Sequence, residues 1–352
     1  MKLDRLRKEF GNIGIDAMLV TSTYNVRFLT GFTGSSGAAV ITADKAVFIT
    51  DFRYTEQAGK QTKGYEVRQA DKGLLDEIAA VAKELDIKQL GFEQDHVTFA
   101  MHGKFAGKID SELVPVSGVI EKLRMVKTPD EIQVIRQAAK IADDAFEHII
   151  KFIEPGKTEL EVSNELEFFM RKQGATSSSF DIIVASGIRS ALPHGVASGK
   201  VIEKGDFVTL DFGALYNGYV SDITRTVSVG EPSAKLKEIY EIVLEAQVAA
   251  LEQIKPGMTG KEADAVSRDF IKAKGYGDAF GHSLGHGIGL EVHEGPTLSY
   301  AAETELEENM AVTVEPGIYL AGIGGVRIED DIIITGTGNE RLTHSTKELL
   351  IL

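Results

Sequence analysis

The chain has 352 residues, a formal net charge of −15, 43% hydrophobic and 26% charged residues, and neither cysteine nor tryptophan. This length allows two domains with well-filled cores. The acidic balance disfavours nucleic acid and anionic membrane surfaces as partners, and the lack of cysteine excludes disulfides and thiolate catalysis. The start of the chain lacks the apolar core of a signal peptide, and no apolar run approaches the roughly 20 residues needed to span a bilayer. We therefore expect a soluble, cytoplasmic protein that binds neither nucleic acid nor membrane.

Helix and strand patterns alternate over residues 1–122. Apolar runs at 17–20, 38–41 and 46–50 have the length of buried strands, and residues 74–85 have the period of an amphipathic helix. Alternating elements of this kind predict a small α/β domain. No metal-ligand cluster or phosphate-binding loop is recognisable in this part of the sequence.

A second domain is predicted to begin at residue 123. Thr128–Glu131 has the N-cap threonine, first-turn proline and N3 glutamate of a capping box. Segments beginning at Pro155 and Pro256 share the pattern PG-x-T-x-x-E without gaps, either because the domain has two related halves or because both helices use the same start signal. Long helices with strands predict an α+β domain over 123–352, and a cleft between two halves would be a natural site.

The stretch from Phe207 to Val227 predicts a β-hairpin. Two β-branched, aromatic-rich runs flank Asn217-Gly218, the strongest short signal for a two-residue turn. In that register Asp211 faces Thr224, and Asp211 and Asp222 lie on one sheet face because side chains alternate with period two. Two carboxylates this close repel each other unless one is protonated or a cation lies between them.

A glycine-rich run, GHSLGHGIGLEVHEGP, holds His282, His286 and His293. Its glycines rule out a regular helix, so the histidines lie on a loop and strand edge that backbone can approach closely. A single histidine is usually a satisfied polar group, but imidazole is also a common ligand of transition metals. The three histidines therefore become candidate metal ligands only because acidic residues are predicted to lie near them.

Two strand-like runs hold one glutamate each. Glu315 lies in MAVTVEPG, and Glu329 lies in GVRIEDDIII, where Arg327 and Asp331 share its face. A lone strand carboxylate is usually an edge charge, but burial in such apolar runs costs heavily unless the group is paired or metal-bound. Together with the aspartate pair, four carboxylates and an imidazole suit two divalent cations such as Mn²⁺, Co²⁺ or Zn²⁺. We therefore predict a dinuclear metal centre.

These motifs resemble those of the pita-bread metallopeptidases, specifically the Xaa-Pro branch that contains aminopeptidase P and prolidase. The resemblance covers the whole chain and includes NVRFLTGFTGSSG in the N-terminal part. It implies an α+β pita-bread catalytic domain over 123–352, preceded by a smaller α/β creatinase-type domain over 1–122, and a homodimer. Motif by motif, it implies five metal ligands: Asp211, Asp222, His286, Glu315 and Glu329.

The resemblance also implies a division of labour among these ligands. Asp222 and Glu329 would bridge two metal ions, most simply Mn²⁺, and Asp211 would complete one coordination shell. His286 and Glu315 would complete the other. Glu315 would also accept a proton during hydrolysis and pass it on.

Supporting residues follow from the same resemblance. His282 and His293 would orient the substrate or stabilise the oxyanion, and His194, in ALPHG, is a further supporting histidine. Arg327 would fix a ligating carboxylate by a bidentate contact. Phe180 lies where the family has an aromatic wall, although a plain core residue is an equally simple interpretation.

The implied reaction is hydrolysis of the first peptide bond of a substrate whose second residue is proline. Aminopeptidase P and prolidase share all these motifs, but a dipeptidase must recognise the carboxylate of the second residue, most simply with a cation. Some prolidases place an arginine shortly after their His-Glu pair, where this chain has Thr297 and no basic residue. We therefore expect an aminopeptidase P-like Xaa-Pro aminopeptidase, with prolidase as the alternative. A metal-free peptide-binding module and a methionine aminopeptidase are further alternatives.

Overall fold

A computed structural model describes residues 2–352. The chain divides into two compact units, the first ending at Arg124 and the second spanning Met125–Leu352, whereas the sequence analysis placed the boundary after residue 122. No helix in the described residues is both long enough and apolar enough to cross a membrane.

The first unit is built on a six-stranded mixed sheet. Its strands are β1 (Ala17–Val20), β2 (Ala38–Thr42), β3 (Ala46–Thr50), β4 (Glu66–Gln69), β5 (Gln89–Glu93) and β6 (Glu112–Val116). Its helices are α1 (Lys2–Ile13), α2 (Thr23–Thr30), α3 (Thr55–Gln61), α4 (Leu74–Glu84), α5 (Phe99–Ala106) and α6 (Val119–Met125), which crosses the boundary. The strand order is β4-β3-β2-β1-β5-β6, with β2 antiparallel to both β1 and β3. This alternation confirms the predicted α/β class.

Three of the four helices of the second unit begin where the capping signals predict. They are α7 (Pro129–Ile149), α8 (Glu159–Lys172), α9 (Ala234–Gln253) and α10 (Gly260–Ala273), with short 3₁₀ turns at Gly187–Ala191 and Gly277–Ala279. Complete capping boxes start α7, α8 and α10, each with a threonine N-cap and a glutamate at N3. The repeated segments form α8 and α10, both of 14 residues, so the shared pattern corresponds to matching helices.

The strands of the second unit form several small sheets. They are β7 (Ser177–Ser178), β8 (Ile183–Ser186), β9 (Phe207–Phe212), β10 (Ala214–Tyr216), β11 (Tyr219–Val220), β12 (Ile223–Ser228), β13 (Gly285–Gly287), β14 (Glu294–Leu298), β15 (Ala311–Val314), β16 (Gly317–Leu320), β17 (Gly324–Arg327), β18 (Asp330–Ile334) and β19 (Asn339–Arg341). The two main sheets have the orders β12-β9-β8 and β14-β13-β15-β18-β19. Helices and sheets together give the predicted α+β class.

The predicted hairpin forms, but its ladder is interrupted. Both turn residues, Asn217 and Gly218, have positive φ, as a two-residue hairpin turn requires, and Asp211 pairs with Thr224 as predicted. At Gly213 the chain passes from β9 to β10, which belongs to another sheet. A Cβ at Gly213 would lie 1.7 Å from the carbonyl oxygen of Ser221, so only glycine permits this close approach.

The two glutamate-bearing runs are not continuous strands, which corrects the sequence analysis. The first breaks between β15 and β16 at Glu315-Pro316, where proline has no N–H to continue a ladder. The second breaks between β17 and β18, where the N–H of Glu329 donates to the carbonyl of Thr224 at 3.1 Å. Since β17 pairs with β16 and β18 pairs with β15, both glutamates lie where the chain changes partner strand.

Candidate metal centre

A cavity of about 800 Å³ in the second unit brings the predicted site residues together. Its lining includes the five predicted ligands and all the supporting residues: Asp211, Asp222, His286, Glu315, Glu329, His194, His282, His293, Arg327 and Phe180. Apolar side chains, among them Ile183 and Val196, form another part of the wall. The roles assigned to the individual residues stay predictions.

The predicted ligands reach this cavity from two strands and from three positions beside strand ends. Asp211 is the last residue but one of β9, and Asp222 immediately precedes β12. His286 is the central residue of β13, while Glu315 and Glu329 occupy the two strand breaks. All four carboxylates therefore lie at or beside strand ends, where side chains are not confined to one face of a continuous sheet.

Three of these side chains converge most closely. One ligand atom from each of Asp222, His286 and Glu329 lies within 4.8 Å of the others. Nε2 of His286 is also 3.4 Å from Oε1 of Glu315 and 3.8 Å from Oδ2 of Asp222. A buried group of oxygen and nitrogen donors at these separations is suited to sharing a divalent cation.

The carboxylates of the cavity have shifted pKa values. Burial, followed by repulsion from Glu329, raises the pKa of Asp222 well above its usual value, and burial together with repulsion from Glu315 does the same to Glu329. Burial raises the pKa of Glu315 to about 8, despite the opposing attraction of Arg327. The charged forms of these groups therefore require a compensating positive charge, which a divalent cation provides.

His286 has the protonation state that a metal ligand needs. Burial, and to a lesser extent the neighbouring His293, lowers its pKa to about 4, so the ring is neutral. Nδ1 lies 3.1 Å from the carbonyl oxygen of Gly287, and in the tautomer that donates this hydrogen bond the lone pair of Nε2 faces the carboxylates. Backbone contacts of this type orient many metal-binding histidines.

Two further atoms support the fit to a metal. Oδ1 of Asp211 and Oδ1 of Asp222 are buried and accept no hydrogen bond within residues 2–352. A buried carboxylate oxygen without a partner costs free energy that a bound cation would offset. The donor set and these two oxygens therefore fit divalent cations.

Arg327 links the cavity to a buried hydrogen-bond network. Its Nη2 donates to Oδ2 of Asp211, its Nη1 to the hydroxyl of Tyr319 at 2.7 Å, and its Nε to the hydroxyl of Thr224 at 3.1 Å. The sequence predicted a bidentate contact with the carboxylate, but Arg327 contacts Asp211 through Nη2 alone. The reason is that the other two nitrogens bind hydroxyl groups.

The three supporting histidines have different surroundings. Nδ1 of His282 lies 2.8 Å from the carbonyl of Ser283, and its Nε2 lies 2.9 Å from the hydroxyl of Tyr319. Burial lowers the pKa of His282 to about 4, so this neutral ring is held on both sides. His194 and His293 are exposed in the cavity, and the ring centroid of His293 is 4.2 Å from that of His286.

The sequence analysis gave no role to two polar residues around the site and misplaced a third. Period-two alternation placed Thr224 opposite Asp211, but gave its hydroxyl no role. No local pattern indicated that Tyr319 would join Arg327 to His282. Asp331 was expected to share a face with Glu329, but it is absent from the cavity lining: Asp331 lies in β18, whereas Glu329 lies in the break before that strand, so period-two alternation does not relate them.

Comparisons with known proteins identify the family. Residues 133–336 match metallopeptidase family M24, and residues 2–126 match the creatinase/prolidase N-terminal domain. An Xaa-Pro dipeptidase of Pyrococcus furiosus is 46% identical over 352 residues, which is 99% of each chain.

Solved structures show the same similarity. An Xaa-Pro dipeptidase from Bacillus anthracis is 63% identical, with a TM-score of 0.99 over 100% of this chain and 99% of that one. An X-Pro aminopeptidase from Thermotoga maritima is 44% identical, with a TM-score of 0.92 over 98% of this chain and 100% of that one. This chain is therefore a peptidase that belongs to metallopeptidase family M24, with a creatinase-type N-terminal domain before its pita-bread catalytic domain.

Proposed function

We propose that this metallopeptidase is an Xaa-Pro dipeptidase, which cleaves dipeptides before a C-terminal proline. The observation that carries the proposal is full-length similarity to proteins of that name, with 63% identity to the Bacillus anthracis structure and 46% to the Pyrococcus furiosus protein. The cavity that the five predicted ligands and the supporting residues line is also consistent with it. The sequence alone favoured an aminopeptidase P-like enzyme over a prolidase, and this proposal reverses that order.

The metal centre is proposed to hold two divalent ions, with Mn²⁺ as the first candidate and Co²⁺ or Zn²⁺ as alternatives. The ligands would be the four carboxylates and one imidazole already described: Asp211, Asp222, His286, Glu315 and Glu329. Divalent cations bound in such a site polarise a substrate carbonyl and lower the pKa of water.

The residues of the chain would carry out the remaining chemistry. Glu315, whose Oε1 lies 3.4 Å from Nε2 of His286 in the cavity, would accept a proton from water as the water oxygen attacks the scissile carbonyl carbon. Breaking the C–N bond then requires a proton on the proline nitrogen, because an unprotonated nitrogen would have to leave as a strongly basic anion. His293, exposed in the cavity beside His286, would orient the substrate and assist that proton delivery.

A second candidate is an Xaa-Pro aminopeptidase that acts on longer peptides. The similarity to the Thermotoga maritima X-Pro aminopeptidase favours it. Arg327 is the single lysine or arginine in the cavity lining that the described residues form, it is buried, and each of its three nitrogens already donates to Asp211, Tyr319 or Thr224. We infer that a dipeptide carboxylate would instead bind to the exposed histidines, His194 and His293.

Comparing a dipeptide with a tripeptide separates these candidates. Purified protein supplied with Mn²⁺ should release proline from Ala-Pro faster than it releases arginine from Arg-Pro-Pro, with Ala-Leu as the control that lacks proline. The reverse preference would establish the aminopeptidase instead. Binding of both peptides without turnover under any of the three metals would indicate a peptide-binding module.

The assembly and location of the protein are also proposals. We infer a homodimer in the cytoplasm, with peptide substrates as its partners and neither nucleic acid nor membrane among them. The net charge of −15 supports the exclusion of polyanions. Light scattering of the purified protein would test the dimer, because a monomeric mass at micromolar concentration would contradict it.

A further inference from the structure

The hydroxyl of Thr224 lies between a guanidinium and a carboxylate in the interior of the second unit. The residue is fully buried. Its Oγ1 is 2.6 Å from Oε2 of Glu329 and 3.1 Å from Nε of Arg327. The 2.6 Å contact with Glu329 has the length of a charge-assisted O–H···O⁻ hydrogen bond, which is among the stronger kinds in proteins.

The direction of both hydrogen bonds follows from the chemistry of the groups. A guanidinium can only donate, so the hydroxyl oxygen of Thr224 accepts from Arg327. The hydroxyl has one proton, which is therefore available for Oε2 of Glu329. The threonine thus connects the positive charge of the arginine to the carboxylate through two aligned hydrogen bonds.

Thr224 holds Glu329 at a second point as well. The backbone N–H of Glu329 donates to the backbone carbonyl of Thr224 at 3.1 Å. Glu329 lies in the break between β17 and β18, so this contact takes the place of a regular strand partner. Thr224 is itself fixed, because its strand β12 pairs with β9 opposite Asp211 and because β-branching restricts its χ1 angle.

We propose that Thr224 is a positioning residue of the metal centre, which holds the Glu329 carboxylate in the orientation that binds metal. Without the hydroxyl, the flexible side chain of Glu329 would have to lose its rotamer freedom when the metal binds. The proposal concerns metal affinity and rests on the metal centre, and it is independent of which peptide is cleaved.

Thr224→Val tests this role because valine has nearly the shape of threonine and no hydroxyl. Loss of a partner that orients a metal ligand typically weakens metal affinity about 10–100-fold. Mn²⁺ binding to metal-free protein, measured by titration calorimetry, should therefore be weaker by that factor in Thr224→Val. Thr224→Ser keeps the hydroxyl and should bind Mn²⁺ within about threefold of the wild type.

Thr209→Val is the matched structural control. Thr209 is another buried threonine of the same sheet, and its hydroxyl lies 3.3 Å from that of Thr226; among the described residues it makes no hydrogen bond to a site carboxylate. This variant undergoes the same chemical change and should bind Mn²⁺ like the wild type.

Each outcome decides the proposal. Weaker binding in Thr224→Val alone supports it. Wild-type affinity in Thr224→Val, or an equal loss in Thr209→Val, overturns it. Should Thr224→Val not fold, Thr224→Ala removes the hydroxyl without adding bulk, and its affinity is judged by the same criteria. Failure of all Mn²⁺ binding in the wild type would instead contradict the metal centre itself.

Discussion

The backbone N–H of Asp222 donates a 2.8 Å hydrogen bond to Oδ2 of Asp331, a fully buried carboxylate that lies outside the cavity lining. Burial raises the pKa of Asp331 well above its usual value. Asp331 thus holds the backbone of a predicted metal ligand from outside the cavity. Any side chain with an acceptor oxygen at this place, charged or neutral, can accept this hydrogen bond.

Replacing Asp331 should separate this anchoring role from charge. In Asp331→Ala the buried N–H of Asp222 loses its acceptor, so the free energy of unfolding should fall by about 1–3 kcal/mol. Asp331→Asn keeps an acceptor oxygen and should remain within about 1 kcal/mol of the wild type. Urea unfolding of the metal-free proteins measures both, and an equal loss in the two variants would show that the charge matters more than the acceptor.

The metal-free chain should become less stable as pH rises above neutrality. Burial raises the pKa of Glu315 from 4.5 to about 8, and the pKa values of Asp222 and Glu329 shift in the same direction. A raised folded-state pKa contributes stability below the unfolded value, and this contribution is lost as pH rises through the folded value. The free energy of unfolding in EDTA should therefore fall as pH rises from about 4.5 to about 8, and the part of this decline above pH 6.5 lies outside the range in which the two shifted histidines titrate.

Titration of the two shifted histidines does not affect the change in stability above pH 6.5. His282 and His286 have pKa values lowered from 6.5 to about 4, so they destabilise the folded chain only as pH falls below the unfolded value. Saturating Mn²⁺ should weaken or remove the decline above neutrality, because the cation favours the charged carboxylates. A metal-free stability that rises from neutral to alkaline pH would contradict the account of the cavity.

Removing one carboxylate should have opposite effects on metal binding and on metal-free stability. Asp222→Ala deletes a group of the closest three-residue cluster, so Mn²⁺ should no longer raise the melting temperature and turnover should be lost. The metal-free variant should melt no lower than the metal-free wild type, because repulsion from Glu329 and Asp211 is relieved. Normal Mn²⁺ content by elemental analysis, together with normal activity, would refute a ligand role for Asp222.

His293 should affect the reaction more than the metal. It is exposed in the cavity, and His293→Ala should retain Mn²⁺ while kcat falls by about 10²–10⁴, the range for loss of a general acid or base. His344, which is exposed outside that cavity, supplies the control variant His344→Ala with unchanged kinetics. Metal loss in His293→Ala comparable to that in Asp222→Ala would make His293 a ligand.

Local chemistry explains which parts of the fold were predictable. The hairpin was predictable because both turn positions, Asn217 and Gly218, need a positive φ that these residue types tolerate. The start of α7 was predictable because Thr128 and Glu131 exchange reciprocal hydrogen bonds in a capping box. The strand breaks at Glu315 and Glu329 were missed because the period-two alternation of strand side chains was assumed to hold along the whole of each run. Pro316 was a visible signal of the first break, whereas nothing in the sequence marked the second.

The contacts around the site were less predictable because they join distant parts of the chain. Thr224 and Glu329 are 105 residues apart, and Arg327 and Asp211 are 116 apart. Residue type and motif resemblance identified the groups that line the cavity, but pairing between their side chains depends on how separate sheets pack together. Neither periodicity nor turn chemistry contains that information.

Anomalous diffraction from crystals grown with Mn²⁺ tests the central claim most directly. The account predicts two manganese peaks roughly 3.5–4 Å apart within the cavity. Oxygens of Asp222 and Glu329 should contact both peaks, and Nε2 of His286 should contact one. Asp211 and Asp222 pointing away from each other around a cavity without manganese would contradict it.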